Sequence, residues 1–537
     1  MELVKKQIHA NQVGKKMVDQ FLVDDDFNVP DTKNDVQRVV AGEGTVKIED
    51  VRPVENYVRV TGKLYFQILY VTEGAEPSLT SMEGKIPFEE MVYADEGTDG
   101  EFVVQNTRVD FTATMIHSRK LNIKAMIELL ISPQMQVDED ITVDVESEMP
   151  LYKKKKAMEL LTLHTSKKDT YRIKEELTLP GTKETIGTVL WTDISNRKLD
   201  TKLGADELLL SGELLAFCFY ESPDGKIDWI GQTIPYEGRV ECYGVDEAMY
   251  HHLNANLEDI NVDIRMDEDG EMRTLGIEGT LELKIAIYQE ENIDFLEDVY
   301  SLEQHCRLET KEASYEELLM QNHSKCKIAE QLSLPELKDD ILQICHSSGR
   351  VQIDRTEVTE EGVQIDGVLH VSFLFVKPDD EVPFDTWQGM VPFSYLVESN
   401  ESEMDMHCDI TSALEQLSVS LMGGDSVEVK AVLAFHSFLR KSVKADVITD
   451  LKWKNFDGRA GKRPGIVGYI VKEGDDLWTL AKRYSTTKEG IMEVNEMTDE
   501  NDKTGRPDID FQRKYEYTIG IMYTKTLSRW KLCRDGK

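Results

Sequence analysis

No stretch of this chain approaches the roughly 18 apolar residues of a membrane-spanning helix, so the sequence predicts no span. The first residues, Met1-Glu2-Leu3-Val4-Lys5-Lys6, carry charge with no apolar stretch or small-residue cleavage site behind them. The expectation is a protein without a secretory signal that stays in the compartment where it is made. Cysteine is sparse and scattered: Cys218, Cys242, Cys306, Cys326, Cys345, Cys408 and Cys533 form an odd set with no Cys-x-x-Cys spacing. Neither a disulfide framework nor a zinc ribbon follows, and reduced thiols fit a cytosolic setting. The adjacent pairs His305-Cys306, Cys345-His346 and His407-Cys408 suggest metal at first sight. Neighbours on a strand point to opposite faces, however, so each pair offers one ligand to a common centre and no metal site is assigned.

Catalytic signatures are missing as well. There is no Gly-x-Ser-x-Gly elbow, no phosphate-cradling Gly-rich loop with its Lys, and no His-Glu-x-x-His. The sequence predicts no enzyme, no catalytic residues and no cofactor. His251-His252 and the acidic run Asp267-Glu268-Asp269-Gly270-Glu271 offer metal donors, but the acidic spacing does not match a calcium loop. The run is predicted to close a hairpin between Ile264 and Leu275.

Positive charge is also in deficit, with 62 Lys and Arg against 101 Asp and Glu for a net −39. Residues 461–537 hold 15 basic against 13 acidic residues, so the acid sits in the first 460. Such a surface repels phosphate backbones and anionic headgroups, which argues against nucleic-acid or direct membrane binding. It tolerates a basic protein partner, and it also serves simply to keep a large β-protein soluble. At 537 residues with 40% hydrophobic and 30% charged content, the chain reads as globular and too long for one core.

What is present in abundance is repetition. The pattern apolar-x-apolar-Pro-x-x-Lys occurs at Phe27–Lys33, Leu177–Lys183 and Leu332–Lys338. A glycine follows each proline by 32 residues, at Gly62, Gly212 and Gly367. A further 25, 23 and 25 residues on stand Pro87, Pro235 and Pro392, each preceded by an aliphatic residue and followed by Phe88, Tyr236 or Phe393. Ile123-Lys124-Ala125 and Val429-Lys430-Ala431 then match, with Ile277-Glu278-Gly279 at the comparable place. The repeated glycines and prolines are read as architecture, marking bulges, close approaches and strand entries. Lys33, Lys183 and Lys338 are read as surface charges.

Runs such as Lys63–Val71 and Leu369–Val376 are rich in β-branched and aromatic residues and read as strands. Val109–Ile116 and Leu121–Ile127 flank a hairpin turn at 117–120, and Gly423-Gly424-Asp425 repeats it. A helix is expected between copies, around Ser314–Met320. The fold expectation is mainly β: three tandem repeats, most simply antiparallel β-sandwiches, at 1–150, 151–310 and 311–455. A linker at 456–465 then leads to a small α+β domain at 466–503.

That domain opens with a strand near Tyr469, a Gly-Asp turn, and a helix in which Leu477, Leu480, Ala481 and Tyr484 share a face. Asp475 or Asp476 caps it, and Thr486-Thr487-Lys488-Glu489 opens a second helix. Over Tyr469–Asn495 the sequence resembles a LysM domain, a strand-helix-helix-strand (βααβ) unit that recognises N-acetylglucosamine-containing glycans. The resemblance implies a groove with Gly474, Asp475, Asp476 and Leu477 on one wall and Asn495 near the other. Trp478 is read either as an exposed partner anchor or as core. After Lys503 the sequence departs from the family, and the second strand is expected to be lost from Thr504–Tyr515. Codons permitted for Thr504–Gly520 can be chosen so that a one-nucleotide shift reads Pro-Gly-Asp-Arg-Ile-Leu-Ile-Phe-Lys-Glu-Asn-Met-Asn-Ile-Leu-stop. Residues 504–537 are therefore expected to be an atypical, frameshifted tail.

Three acidic β-rich repeats before one LysM unit resemble the SPOCS-domain proteins of spore-forming bacteria. The resemblance implies a non-enzymatic adaptor in spore-coat morphogenesis, made in the mother-cell cytoplasm and acting at the forespore surface. It further implies that the LysM unit contacts another coat morphogenetic protein. A peptidoglycan-binding wall protein is the alternative, and it requires export.

Overall fold

The computed structural model describes residues 2–94, 100–337, 340–378, 382–399, 406–423, 425–455, 466–470, 475–497 and 508–512. The first repeat is built from β1 (Glu2–Val13), β2 (Met17–Asn28), β3 (Val36–Val54), β4 (Tyr57–Thr72), β5 (Leu79–Tyr93), β6 (Glu101–His117) and β7 (Lys120–Glu146). The second comprises β8 (Tyr152–Thr178), β9 (Thr188–Gly204), β10 (Glu207–Glu221), β11 (Ile227–Glu241), β12 (Tyr250–Met266) and β13 (Met272–Tyr300). The third comprises β14 (Gln304–Ser333), β15 (Gln343–Thr359), β16 (Gly362–Val376), β17 (Phe384–Glu398), β18 (Met406–Gly423) and β19 (Ser426–Asn455). Its first strand begins at Gln304, ahead of the boundary expected at 310.

Each repeat has one topology. The middle three strands form an antiparallel sheet, ordered β3-β4-β5, β9-β10-β11 and β15-β16-β17. The long last strand pairs with the strand before it and with the first strand of the repeat, as in β12-β13-β8 and β14-β19-β18. In the first repeat β1 and β2 together replace that first strand, pairing with the two halves of β7 on either side of Pro133. The two sheets face each other across an apolar core, so each repeat is a sandwich. Leu64, Leu214 and Leu369 occupy equivalent positions on the central strands and are 0%, 1% and 0% exposed.

The repeated motifs turn out to be cross-strand partners. Gly62 faces Phe88, Gly212 faces Tyr236 and Gly367 faces Phe393. A Cβ on Gly212 would lie 2.2 Å from the Tyr236 ring, and one on Gly367 2.1 Å from the Gln352 carbonyl oxygen. The glycine is thus required by an aromatic ring laid over it. The Pro-x-x-Lys segment is a turn in which Lys33 N–H donates to Pro30 O and Lys183 N–H to Pro180 O, both at 2.9 Å. Arg119 and Arg273, from the following hairpins, clamp these turns by donating to Lys33 O and Lys183 O. Lys338 lies outside the described residues.

Ile264 faces Leu275 across the acidic turn, where the Asp267 carboxylate accepts from the N–H groups of Asp269 and Glu271. The hairpin at 117–120 is also as the sequence suggests, and Gly423 pairs with Ser426, while Gly424 lies outside the described residues. The helix expected at 314–320 is absent: these residues lie in β14, and Tyr315 is 2% exposed. Glu, Leu and Met favour a helix locally, but pairing with β19 along the whole strand overrides that preference.

The three sandwiches join about a common axis. Beyond the sandwiches the long strands converge, and Ile8, Ile141, Leu160, Phe295, Tyr315 and Val447 make a core shared by all three repeats. Thr142 Oγ1 donates to Ile448 O at 2.7 Å and Tyr315 O–H to Asp140 O at 3.1 Å across these seams. A second shared core joins the ends of the three-stranded sheets through Leu69, Trp191, Phe217, Phe219 and Phe384. Nearby, Arg440 is buried between Glu316 and Asp409 at 2.7 and 2.6 Å, and its guanidinium lies over the second repeat's Tyr288 ring.

Candidate functional site

The C-terminal domain has β20 (Ile466–Ile470), α1 (Leu477–Tyr484), α2 (Lys488–Val494) and β21 (Asp508–Gln512). β20 and β21 pair antiparallel, Ile466 with Gln512 through Ile470 with Asp508. The second strand that the sequence suggests is lost is therefore present, because backbone pairing needs only N–H and C=O groups, whatever the side chains. The expected irregular tail beyond Gln512 lies outside the described residues.

Local chemistry sets the two helices. Asp476 is the N-cap of α1: its carboxylate accepts from Thr479 N–H at 2.6 Å and from Thr479 Oγ1 at 3.0 Å. Thr487 caps α2, accepting from Gly490 N–H at 2.9 Å. Leu477, Leu480, Ala481 and Ile491 are buried together.

Of the groove residues read from the sequence, Gly474 lies outside the described residues. The Asp475 carboxylate accepts from Tyr469 O–H at 3.1 Å and so ties the first turn to β20. Leu477 is core at 2% exposure. Asn495 follows α2, is 3% exposed, and donates from Nδ2 to Ile491 O at 2.7 Å. Each described groove residue thus also holds the domain together.

Trp478 is not an exposed anchor. It is 7% exposed, and its ring packs edge-on against Tyr300 with centroids 4.9 Å apart. Its indole N–H donates to Asp298 Oδ2 at 2.8 Å, and Lys482 binds the other oxygen of the same carboxylate. Tyr300 O–H donates to Thr486 O at 2.9 Å and itself stacks on Tyr152. Burial pushes the Tyr300 phenol well above its usual pKa. The domain is therefore seated on the end of the β8/β13 pair. Asp298, Tyr300 and Tyr152 were not singled out from the sequence; the aromatic pair at the two ends of one repeat was the available signal.

Among the described residues no group of His, Cys, Asp and Glu side chains gathers as a metal site would, and no helix is long and apolar enough to cross a membrane. The six described cysteines are free, and burial raises the Cys218 and Cys345 thiols to about 12.

Comparison with known families agrees with this layout. The model described as SipL, SPOCS domain matches residues 35–119, 185–265 and 340–422, and the LysM domain model matches 469–501. The SPOCS matches cover the three-stranded sheet and the strand after it, leaving out the long strands that meet on the axis. No curated protein and no solved structure matches the chain.

Proposed function

Because this chain is a SPOCS-domain sporulation protein that carries a LysM module, we propose that it is a structural adaptor of the spore envelope whose LysM module docks another coat morphogenetic protein. The carrying observation is the seat of that module. Trp478, Lys482 and Thr486 fasten it to Asp298 and Tyr300, so three fused sandwiches present one small recognition domain from a fixed position. SPOCS and LysM are non-catalytic families, which fits an adaptor. The acidic surface favours a basic face on the partner. In this reading the protein acts in the mother-cell cytoplasm at the forespore surface.

The LysM match itself favours a second reading, binding to the N-acetylglucosamine polymer of peptidoglycan. One experiment separates the two: a pull-down from sporulating cells with the full chain and with the chain lacking residues 466–537, alongside binding to N-acetylglucosamine oligomers. Capture of a coat protein that depends on residues 466–537 supports the adaptor. Tight oligomer binding without any coat partner overturns it.

A further inference from the structure

A polar chamber lies on the axis where the three repeats meet. One part has a volume of about 1270 Å³ and the next about 720 Å³, and Arg197 of β9 lines both. Along β9 the order is Trp191 in the shared apolar core, then Asp193, Ser195 and Arg197 on the chamber. Along β13 Lys284 lines the chamber before Phe295 enters the shared core with Ile8, Tyr315 and Val447. The apolar cores thus close the two ends and leave polar walls between.

Arg197 is set there by a bulge. The cross-strand partners jump from Lys198 opposite Glu213 to Asn196 opposite Leu214, leaving Arg197 unpaired in the ladder. In the other repeats the bulge lies on the other side of the glycine, at Glu49 between the partners of Gly62 and Thr61 and at Asp354 between those of Gly367 and Asp366. The Arg197 bulge is therefore particular to the second repeat.

This guanidinium is 7% exposed, and among the described residues it has no hydrogen bond or ion pair. Asp193 acts on it only through space, because the Asp193 carboxylate is taken by His346 at 2.7 Å. Asp110 on the same wall pairs with Arg350 at 3.4 Å. Glu43, also on this wall, is held near neutrality by burial and by Asp193, with its pKa raised to about 7. Two further buried polar atoms in this wall lack a partner, Ser195 Oγ and Arg108 Nε. Both are closed off from the chamber, so its accessible unmet capacity is that of the Arg197 guanidinium, which only donates.

We propose that the chamber binds a small oxyanion, a phosphate or carboxylate compound, through the Arg197 guanidinium. A guanidinium suits both groups because its fork matches two oxygens of either. Lys16, Lys168 and Arg355 stand on the lining of the wider part, Lys168 paired with Glu101 and Arg355 with Glu357, both at 2.7 Å.

The test uses the full chain, titrated with inorganic phosphate and with citrate at ionic strength matched by chloride. Binding is followed by calorimetry and by the thermal midpoint. Saturable binding with a rising midpoint is expected for at least one of the two, and the stronger one identifies the phosphate or the carboxylate class. Arg197→Gln should weaken that binding at least about tenfold, and Arg197→Lys, which keeps the charge but loses the fork, should weaken it less. Absence of saturable binding to the folded wild type overturns the proposal, as does an unchanged affinity in folded Arg197→Gln. If Arg197→Gln does not fold, Arg197→Lys decides: weakened binding supports the site and unchanged affinity overturns it.

Discussion

The indole N–H of Trp478 and the carboxylate of Asp298 meet at 2.8 Å across 180 positions of sequence, joining the LysM module to the last strand of the second SPOCS repeat. Asp298→Ala removes the acceptor of both Trp478 and Lys482. The expected cost to docking is about 1–3 kcal/mol. Hydrogen exchange should show the helices of the module losing protection while the sandwich strands keep theirs. Unchanged protection in the module would mean that the seam does not hold it.

Gly212→Ala should destabilise the chain by roughly 1–3 kcal/mol, since the new Cβ meets a Tyr236 ring that packs in the core. Gly367→Ala should cost more, because there the Cβ meets a backbone oxygen, which cannot rotate away. Gly181, with nothing within 4 Å, is the control, and Gly181→Ala should be close to neutral. Urea midpoints of the three variants give the order directly.

Acid should loosen the contact between the second and third repeats. Burial lowers the pKa of His251 and of His436 to about 4, with neighbouring histidines adding to the effect. Below pH 6.5 the unfolded chain takes up these protons while the native chain does not until near pH 4. Stability is therefore full above about pH 6.5 and falls toward pH 4, by up to about 3 kcal/mol for each histidine. Glu43, raised to about 7, works in the opposite direction between about pH 4.5 and 7 and offsets part of the loss. Comparing denaturation at pH 7.5 and 5 for wild type and His251→Gln/His436→Gln isolates the histidine share, and the double variant should keep more of its stability at pH 5, relative to pH 7.5, than wild type does.

Arg440→Met should be among the most damaging single changes, at about 3–5 kcal/mol, because it strands Glu316 and Asp409 without their cation. The triple change with Glu316→Gln and Asp409→Asn should recover part of that loss. A triple variant no more stable than Arg440→Met would show that the cost comes from lost packing on Tyr288 instead.

Reading the genomic DNA across the codons for Lys503–Gly520 checks the frame of the C-terminal segment. The expected outcome is a codon set whose one-nucleotide shift gives Pro-Gly-Asp-Arg-Ile-Leu-Ile-Phe-Lys-Glu-Asn-Met-Asn-Ile-Leu and then a stop. Such a shift would place an apolar strand where Asp508–Gln512 now pairs with Ile466–Ile470. Codons that forbid the shifted reading would end this idea.

Backbone constraints were the most legible part of the fold. A glycine under an aromatic ring and a proline within an edge strand tolerate few substitutes, so Gly62 with Phe88 and Gly212 with Tyr236 recur at similar spacing. Asp476 and Thr487 were legible for the same local reason, each capping a helix within four residues. The orientation of Trp478 was not, because it depends on Asp298 and Tyr300 in another domain. The helix misread at 314–320 failed likewise: its strand is fixed by β19, more than 100 residues later. The axial assembly left only a faint trace, apolar residues such as Leu160 and Phe295 continuing along strands after the sandwich is already filled.

The pairing of first and last strands within each repeat has a consequence for how the chain is made. β1 and β2 close on β7, β8 on β13 and β14 on β19, so no repeat borrows a main strand from the next. Each sandwich can finish folding on the ribosome as soon as its own last strand emerges, about 150 residues after its first. The axial core is different: it draws on residues from Ile8 to Val447, so it is complete only once Val447 has been synthesised. Translation should therefore pass through two stages at which completed sandwiches expose an apolar axial edge, and a nascent chain stalled before residue 447 is the species most exposed to aggregation and chaperone capture.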